Sequence, residues 1–541
     1  MNDPLQPAKW GEQVLPIYPA AVADAARSAG HWANRTYADL IDRWAQFDPS
    51  RAALTDGRSS YTYGELKGVS ETIAGNLWAR GVRPGTRVGL YVSNAAESVL
   101  LRLGLNRVGG IVTQLHRSMT SREVAYALQK TATRWILAPV SAQEVLADLR
   151  ASGCLDVVFT YGGPASKGTQ AFEVLLADGG APVEDWAHAR PGPDDIFNIG
   201  STSGTEGNPK FFADSPQKWI CGATNLMNGS LCGPETVVMD MPPVTGGLGY
   251  FTTFMPYVVG GQLVMLETFT PARALEVIER YAVTYVVALP TQLIKMMHDP
   301  VFETTDFSRL RVILNAGGPL SPASAQEIEE RFGASVVQTC GTVEAGPTLM
   351  SVPGDPRERR WGTVGRLSPG ATMRIVDESG ADVADGDIGE AWWSGAMVSA
   401  GYIDDTPLFD ADGWTHSGDL YIRDDDGFLR LVGRKKDMII RGGQNISAQE
   451  VEDALMGHPA IQMAAVVGMP DPVFGERACA FVVTMPGKTM DLATVQLFLG
   501  ERQLSKYKWP ERIEVVAELP HGPGGKVKKA QLRALLRGEA S

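Results

Sequence analysis

The chain is poor in the residues that build metal and disulfide centres, with five cysteines and seven histidines in 541 residues. Cys154, Cys221, Cys232, Cys340 and Cys479 are scattered, form no Cys-x-x-Cys and have no histidine pair beside them. A zinc site or a disulfide framework is therefore not expected, and a reducing compartment is. Positive charge is also short: 49 Lys and Arg stand against 62 Asp and Glu, a net charge of -13. That balance argues against a nucleic-acid partner or an anionic-membrane surface, although local lysines can still hold an anionic substrate. The N-terminus lacks the basic-then-apolar pattern of a secretory signal, so the cytoplasm is expected. One charge-free run, from Met241 to Leu266, is long enough to cross a bilayer. It holds Pro242, Pro243, Pro256 and five glycines, which break helices, so buried strands and turns are expected there instead of a membrane span.

What is present describes a soluble globular protein, 44% hydrophobic and 21% charged. Its length calls for two to four domains or subdomains. Strand-like runs at 87–92, 135–140, 156–161, 284–289, 311–314 and 335–338 alternate with helical segments such as 271–281 and 322–332. The helix at 322–332 is opened by Ser321 with proline in the first helical position. Such alternation implies an α/β fold of parallel sheets covered by helices, with ligands at the carboxyl ends of strands. Glycine-rich segments at 200–207, 316–318 and 341 each follow a strand and are expected to share one crevice. From about Gly362 to Leu431, Asp-Gly pairs at 385–386, 412–413 and 426–427 punctuate short strands, which suggests a small β-rich subdomain. After Gly433 a compact α+β unit is expected, with a capping-box pattern at Ser447 and Glu450, strands at 461–467, 477–484 and 513–516, and a helix from Leu492. Residues 434–437 mark the boundary between 1–432 and 433–541.

The most informative stretch is Thr202-Ser203-Gly204-Thr205-Glu206-Gly207-Asn208-Pro209-Lys210. Two glycines, three hydroxyls and a lysine in nine residues supply backbone N–H groups, O–H donors and a positive charge, which is what nucleotide phosphates require. It is not a Walker A loop, because Lys210 follows Pro209 and precedes Phe211 instead of leading into a helix with Ser or Thr. An ordinary Gly/Ser/Thr loop is the alternative, and only the rest of the chain decides between them.

The ordered motifs, running from Tyr61-Thr62-Tyr63-Gly64-Glu65-Leu66 to Gly525-Lys526, resemble the adenylate-forming superfamily of acyl- and aryl-CoA ligases, carrier-protein-loading adenylation domains and luciferases. The resemblance implies a large N-terminal body and a small mobile C-terminal domain hinged near Lys436. It also implies activation of a carboxylic acid by ATP to acyl-AMP with release of pyrophosphate, then transfer to a thiol. Thr202, Ser203, Gly204, Thr205, Glu206, Gly207 and Lys210 would hold the β- and γ-phosphates of ATP. Gly317, Gly318 and Pro319, within Asn315-Ala316-Gly317-Gly318-Pro319-Leu320, would form one side of the adenine slot. Gln338, Thr339, Cys340, Gly341, Thr342 and Glu344 match the aromatic-Gly-x-Thr-Glu motif, so Glu344, with Thr202 beside it, would contact Mg²⁺ and Gln338 would read the adenine amino group. Cys340 stands where the family has an aromatic, and Val343 where it has threonine. Asp419 matches the aspartate on the ribose hydroxyls, Arg434 adds a second ribose contact, and Lys526 is the lysine of the adenylation step. Gly442, Gly443 and Asn445 would line the channel for the pantetheine arm of coenzyme A once the C-terminal domain has rotated.

In that setting the chemistry asks for electrostatic shielding, since a carboxylate must meet the α-phosphorus of ATP and both are anions. The attacking carboxylate is already ionised, so no general base is required, in keeping with the lack of a convincing Ser-His-Asp triad. Thr245, Gly246, Gly249, Tyr250, Asn315 and Gly341 are the expected acyl-pocket residues, with Leu248, Tyr250 and Phe251 as an apolar wall. No aspartate stands in the 241–251 segment to pair an α-amine, so a neutral-bodied alicyclic, aromatic or medium-chain acid is expected. Two alternatives stay open: loading of a phosphopantetheinyl carrier protein, and a nucleotide-binding protein with decayed chemistry. Oligomeric state is open as well, a homodimer included.

Overall fold

A computed structural model describes residues 18–202, 209–318, 320–404, 406–442, 444–521 and 527–538. Among them the chain forms a large α/β body, a β-rich subdomain and a smaller α+β C-terminal domain. Two sheets make the body. In the first, Ser335–Cys340, Val312–Asn315, Tyr285–Ala288, Val237–Asp240, Gln262–Met265 and Ala52–Thr55 lie side by side in that order, all parallel. In the second, Asn198–Ser201, Ile111–Gln114, Arg87–Leu90, Trp135–Pro139 and Val157–Tyr161 run parallel. These strands are short, Val/Ile/Leu-rich and buried on both faces, as parallel strands covered by helices must be.

The same core cluster takes side chains from both sheets and from the helices Tyr63–Ala79 and Ala96–Arg107, so these helices fill the space the sheets share. Tyr63–Ala79 starts at a full capping box in which Thr62 and Glu65 satisfy each other's backbone N–H. Every residue of Ala96–Arg107 except Glu97 is buried, and two arginines enter the core with it. Arg107 reaches Asp42 at 2.6 Å. Arg102 donates to the Thr253 hydroxyl at 3.0 Å and lies 4.8 Å from the centre of the Tyr250 ring.

Three local expectations are corrected. The 241–266 run is not strands and turns alone: it forms the helices Gly247–Thr252 and Met255–Val259 before the strand Gln262–Met265. Pro256 sits in the first turn, where its missing N–H costs nothing, and Gly260 ends the helix in the left-handed conformation. The β-rich subdomain forms, as the antiparallel strands Ala371–Val376, Gly389–Gly395, Thr415–Arg423 and Leu429–Arg434. Its segment Gly401–Tyr402, however, leaves that sheet and pairs with Phe211–Asp214 of the body. In the C-terminal domain Ser447 accepts the Glu450 N–H at the start of the helix Ala448–Met456. The Glu450 carboxylate goes to Lys508 instead, at 2.7 Å, so only half of the expected box forms.

Candidate active site

The 202–210 segment leaves from a hairpin. Asn198–Ser201 and Phe211–Asp214 are antiparallel, with Ser201 opposite Phe211, and the next pair out closes the neck. Thr202 donates its N–H to the Lys210 carbonyl at 2.9 Å, and Lys210 donates its own to the Thr202 hydroxyl at 3.3 Å. Ser203, Gly204, Thr205, Glu206, Gly207 and Asn208 lie outside the described residues, as do Pro319, Gly443, Gly524, Gly525 and Lys526.

The strand pairing of Gly401–Tyr402 sets Tyr402 opposite Phe212, at the foot of that hairpin. The Lys210 ammonium lies 5.0 Å from the centre of the Tyr402 ring, within cation–π range. The Tyr402 hydroxyl donates to Glu344 Oε1 at 3.0 Å. Burial and the nearby Glu344 charge push the Tyr402 phenol well up, so it stays a donor at any working pH. Thr202, Lys210, Tyr402 and Glu344 therefore form one cluster, built from elements far apart in sequence.

A second pair stands on neighbouring strands of the β-rich sheet. Asp419 and Arg434 are register partners, and Arg434 Nε meets Asp419 Oδ1 at 2.9 Å. The Ser417 hydroxyl accepts the Asp419 N–H at 3.0 Å and fixes the turn after Gly418. Cys340, four residues before Glu344 in the chain, lies with its sulfur 3.3 Å from the hydroxyl of Tyr421, two residues beyond Asp419. Cys340 thus packs toward the subdomain core. Gly341 follows it, where a Cβ would stand 1.8 Å from the Gly346 carbonyl oxygen, so only glycine permits the tight turn 341–346. Thr342 spans that turn: its carbonyl accepts the Gly346 N–H at 2.8 Å and its hydroxyl the Ala345 N–H at 3.1 Å. Gly317 adopts φ +79, and a Cβ there would meet Leu289 at 2.7 Å.

The Gln338 side-chain nitrogen donates to the carbonyls of Arg360 at 2.9 Å and Thr363 at 3.0 Å, which ties strand to helix; the side-chain oxygen is the atom that would accept from an adenine amino group. The Thr339 hydroxyl donates to the Leu349 carbonyl at 2.8 Å.

The AMP-binding enzyme family matches residues 41–403, and the AMP-binding enzyme C-terminal domain matches 450–526. The chain belongs to the AMP-binding enzymes. It is 30% identical over 513 residues to a sulfoacetate–CoA ligase of Cupriavidus necator, covering 92% of this chain and 99% of that one. It is 29% identical over 538 residues to a medium-chain fatty-acid–CoA ligase of Escherichia coli, covering 94% and 92%. Among solved structures, ATP-bound MatB from Rhodopseudomonas palustris superposes with a TM-score of 0.82 at 27% identity, covering 92% of this chain and 98% of that one. Within the family the chain is of the acyl- and aryl-CoA ligase type, an AMP-forming acid–thiol ligase that uses ATP and coenzyme A.

In this AMP-binding enzyme the expected acyl segment divides in two. Gly247 and Leu248 reach the motif residues: a Cβ on Gly247 would stand 3.1 Å from Val343 Cγ1, and one on Gly317 4.0 Å from Leu248 Cδ2. Thr245, with its hydroxyl unpartnered, and Gly246 precede them. Asn315 is buried and its side-chain oxygen has no partner. Tyr250 is corrected from pocket to core: it is fully buried against Arg102 and stacks edge-on to Trp219 at 5.1 Å. Phe251 joins the same core cluster. Gly249 has no open face either, since a Cβ would lie 2.3 Å from the Pro243 carbonyl oxygen; it lets the helix settle on the Pro242–Pro243 turn. Helical spacing carries the second half of the segment inward, which a strand reading could not anticipate.

In the C-terminal domain, Gly442 and Asn445 belong to a tight hairpin in which Arg441 pairs with Gln444. Gly442 donates its N–H to the Phe474 carbonyl at 2.8 Å. The lysine loop leaves from a bridge between His521 and Val527, closed by the Lys528 N–H on the Pro520 carbonyl at 2.7 Å. Sequence reasoning missed Tyr402, because no loop motif marks it and only strand pairing brings it in. It also missed Asp240, fully buried at the end of its strand. Burial pushes the Asp240 carboxyl well above its usual range, against the pull of Arg102.

Proposed function

We propose that this enzyme joins a neutral-bodied carboxylic acid to coenzyme A through an acyl-adenylate. The observation that carries the reading is the run of contacts from Thr202 through Lys210 and Tyr402 to Glu344, beside the Cys340–Tyr421 contact that stands four residues before Glu344 and two beyond Asp419. A nucleotide laid along it would place its ribose on Asp419 and Arg434 and its phosphates at the neck of the 202–210 loop. Thr202 and Lys210 would orient those phosphates, and Lys210 would offset charge as the carboxylate approaches.

The residues present fit a magnesium ion bound with the nucleotide. Glu344 and Thr202 offer hard oxygen donors, and Glu344 Oε1 has a neutral hydrogen-bond donor, not a competing cation, at 3.0 Å. Among the described residues no group of three or more His, Cys, Asp or Glu could hold a metal without the nucleotide. When bound, the ion supplies charge neutralisation between the phosphates. Lys526 would serve the adenylation step, and rotation about Lys436 would exchange it for the 442–445 hairpin in the thiol step. The acid contacts Thr245, Gly246, Gly247, Leu248 and Val343. The 241–251 segment has no basic side chain, which disfavours a second anionic group on the acid and favours an alicyclic, aromatic or medium-chain body. No helix among the described residues is long and apolar enough to cross a membrane.

A panel of carboxylic acids screened for ATP-dependent pyrophosphate release, with and without coenzyme A, tests the reading. Acid-dependent release that yields the CoA thioester is the expected result. Release with transfer only to a phosphopantetheinyl carrier protein would replace the acceptor, and no acid-dependent release would overturn the reading.

A further inference from the structure

Behind the turn that presents Glu344 lies a buried charge with no counterpart in the nucleotide motifs. Lys218, on the helix Pro216–Gly229, and Asp214, at the end of the strand before it, both have 0% exposed side chains and meet at 3.1 Å. A buried ion pair is weak evidence for stability, since apolar residues of similar size often do as well or better. The other two N–H groups of Lys218, shared among three acceptors, point to a different role. They reach the Val343 carbonyl at 2.7 Å, the Glu344 carbonyl at 3.3 Å and the Ser399 hydroxyl at 2.8 Å. Ser399 then returns both of its donors to the Glu344 carbonyl, the N–H at 2.7 Å and the O–H at 2.9 Å. The lysine has little slack, because its ammonium lies 5.1 Å and 4.7 Å from the rings of Phe212 and Trp219. A Cβ on Gly346 would press on its Cε at 3.3 Å. Glu344 is thus held at its backbone by Lys218 and Ser399 and at its carboxylate by Tyr402.

We infer that Lys218, with Asp214 and Ser399, is a positioning unit that sets the Glu344 carboxylate for metal-bound ATP. The inference rests on the reading of Glu344 as the metal contact. Lys218 touches no nucleotide; it acts through the Val343–Glu344 backbone, giving the Val343 carbonyl a charged donor at 2.7 Å and adding a longer one, at 3.3 Å, to the Glu344 carbonyl that Ser399 already serves. Methionine has a stem of similar length and no donors, so Lys218→Met takes the charged donor from the Val343 carbonyl and the cation from the buried Asp214 carboxylate while keeping the packing volume.

The test is calorimetric and needs no knowledge of the acid. ATP affinity is measured with Mn²⁺ and again with EDTA, and the ratio of the two is the metal gain. Lys218→Met is expected to cut that gain about tenfold or more, the size of a lost charged hydrogen bond, with metal-free ATP affinity nearly unchanged. Glu344→Gln should abolish the gain, and the double variant should lose no more than Glu344→Gln alone, because both act on one interaction. Ser399→Ala, a smaller change, should lower the gain in the same direction, and it decides the matter if Lys218→Met fails to fold. A lowered melting temperature with an unchanged metal gain in Lys218→Met, or an unchanged gain in Ser399→Ala, would overturn the inference. An unchanged gain in Glu344→Gln would instead overturn the role of Glu344, and the inference with it.

Discussion

Tyr402→Phe is the most discriminating single change, because it removes one oxygen and leaves the ring. In the native protein the half-buried hydroxyl donates to Glu344 Oε1 at 3.0 Å, while the ring face receives the Lys210 ammonium at 5.0 Å. Phenylalanine keeps the cation–π contact and the strand pairing with Phe212, so the loop neck should persist. What disappears is a hydrogen bond to a charged acceptor, worth about 1.5–3 kcal/mol. If that bond holds the carboxylate in the geometry used during adenylation, the loss appears as roughly a 10- to 150-fold fall in rate. ATP–pyrophosphate exchange with the best acid from the screen measures it directly. Tyr402→Ala, which also deletes the cation–π partner, should fall further by about 0.5–2 kcal/mol. Thioester formation from supplied acyl-adenylate should be spared in both variants, since that step does not use the triphosphate. Native exchange rates in Tyr402→Phe would refute the claim that Tyr402 organises Glu344.

Three further outcomes follow from the geometry. Gly341→Ala forces a methyl to within 1.8 Å of the Gly346 oxygen, so it should cost at least the ~1–3 kcal/mol typical of overpacking and shift the Glu344 turn. A melting temperature and exchange rate both at native levels would contradict this. Asp240→Asn should stabilise the protein progressively as pH rises. Burial raises the folded carboxyl above its ordinary 3.8, so the native residue is tolerated below that pH and becomes costly as pH climbs through its folded value. Melting temperatures compared at pH 5 and pH 8 should show the larger gain at pH 8, and equal gains would refute the assignment. Lys526→Ala should cripple pyrophosphate exchange while largely sparing thioester formation from acyl-adenylate, and equal loss in both would count against a rotating C-terminal domain.

The parts of this protein legible in its sequence are those set by local pattern. Short Val/Ile-rich runs between helices announced the parallel sheets, and the strand Ser335–Cys340 and helix Pro322–Phe332 fell within two residues of expectation. Asp419 and Arg434 were legible as motif residues, and their register pairing follows from one hairpin. The illegible parts depend on partners distant in the chain. Tyr402 reaches the loop neck only because two residues cross from one sheet to another. The Gln338 side-chain nitrogen is taken by carbonyls 22 and 25 residues away, which no local spacing reveals. Tyr250 was misplaced for a different reason: six residues of helix amid three prolines and five glycines carry too weak a periodic signal to set its face.

A crystal structure with a non-hydrolysable ATP analogue and Mg²⁺ tests the central claim most directly. The account predicts the ribose hydroxyls on Asp419, the triphosphate at the Thr202–Lys210 neck, and the metal between phosphate and the Glu344 carboxylate. A triphosphate bound away from that neck, or a metal ligated without Glu344, would contradict it.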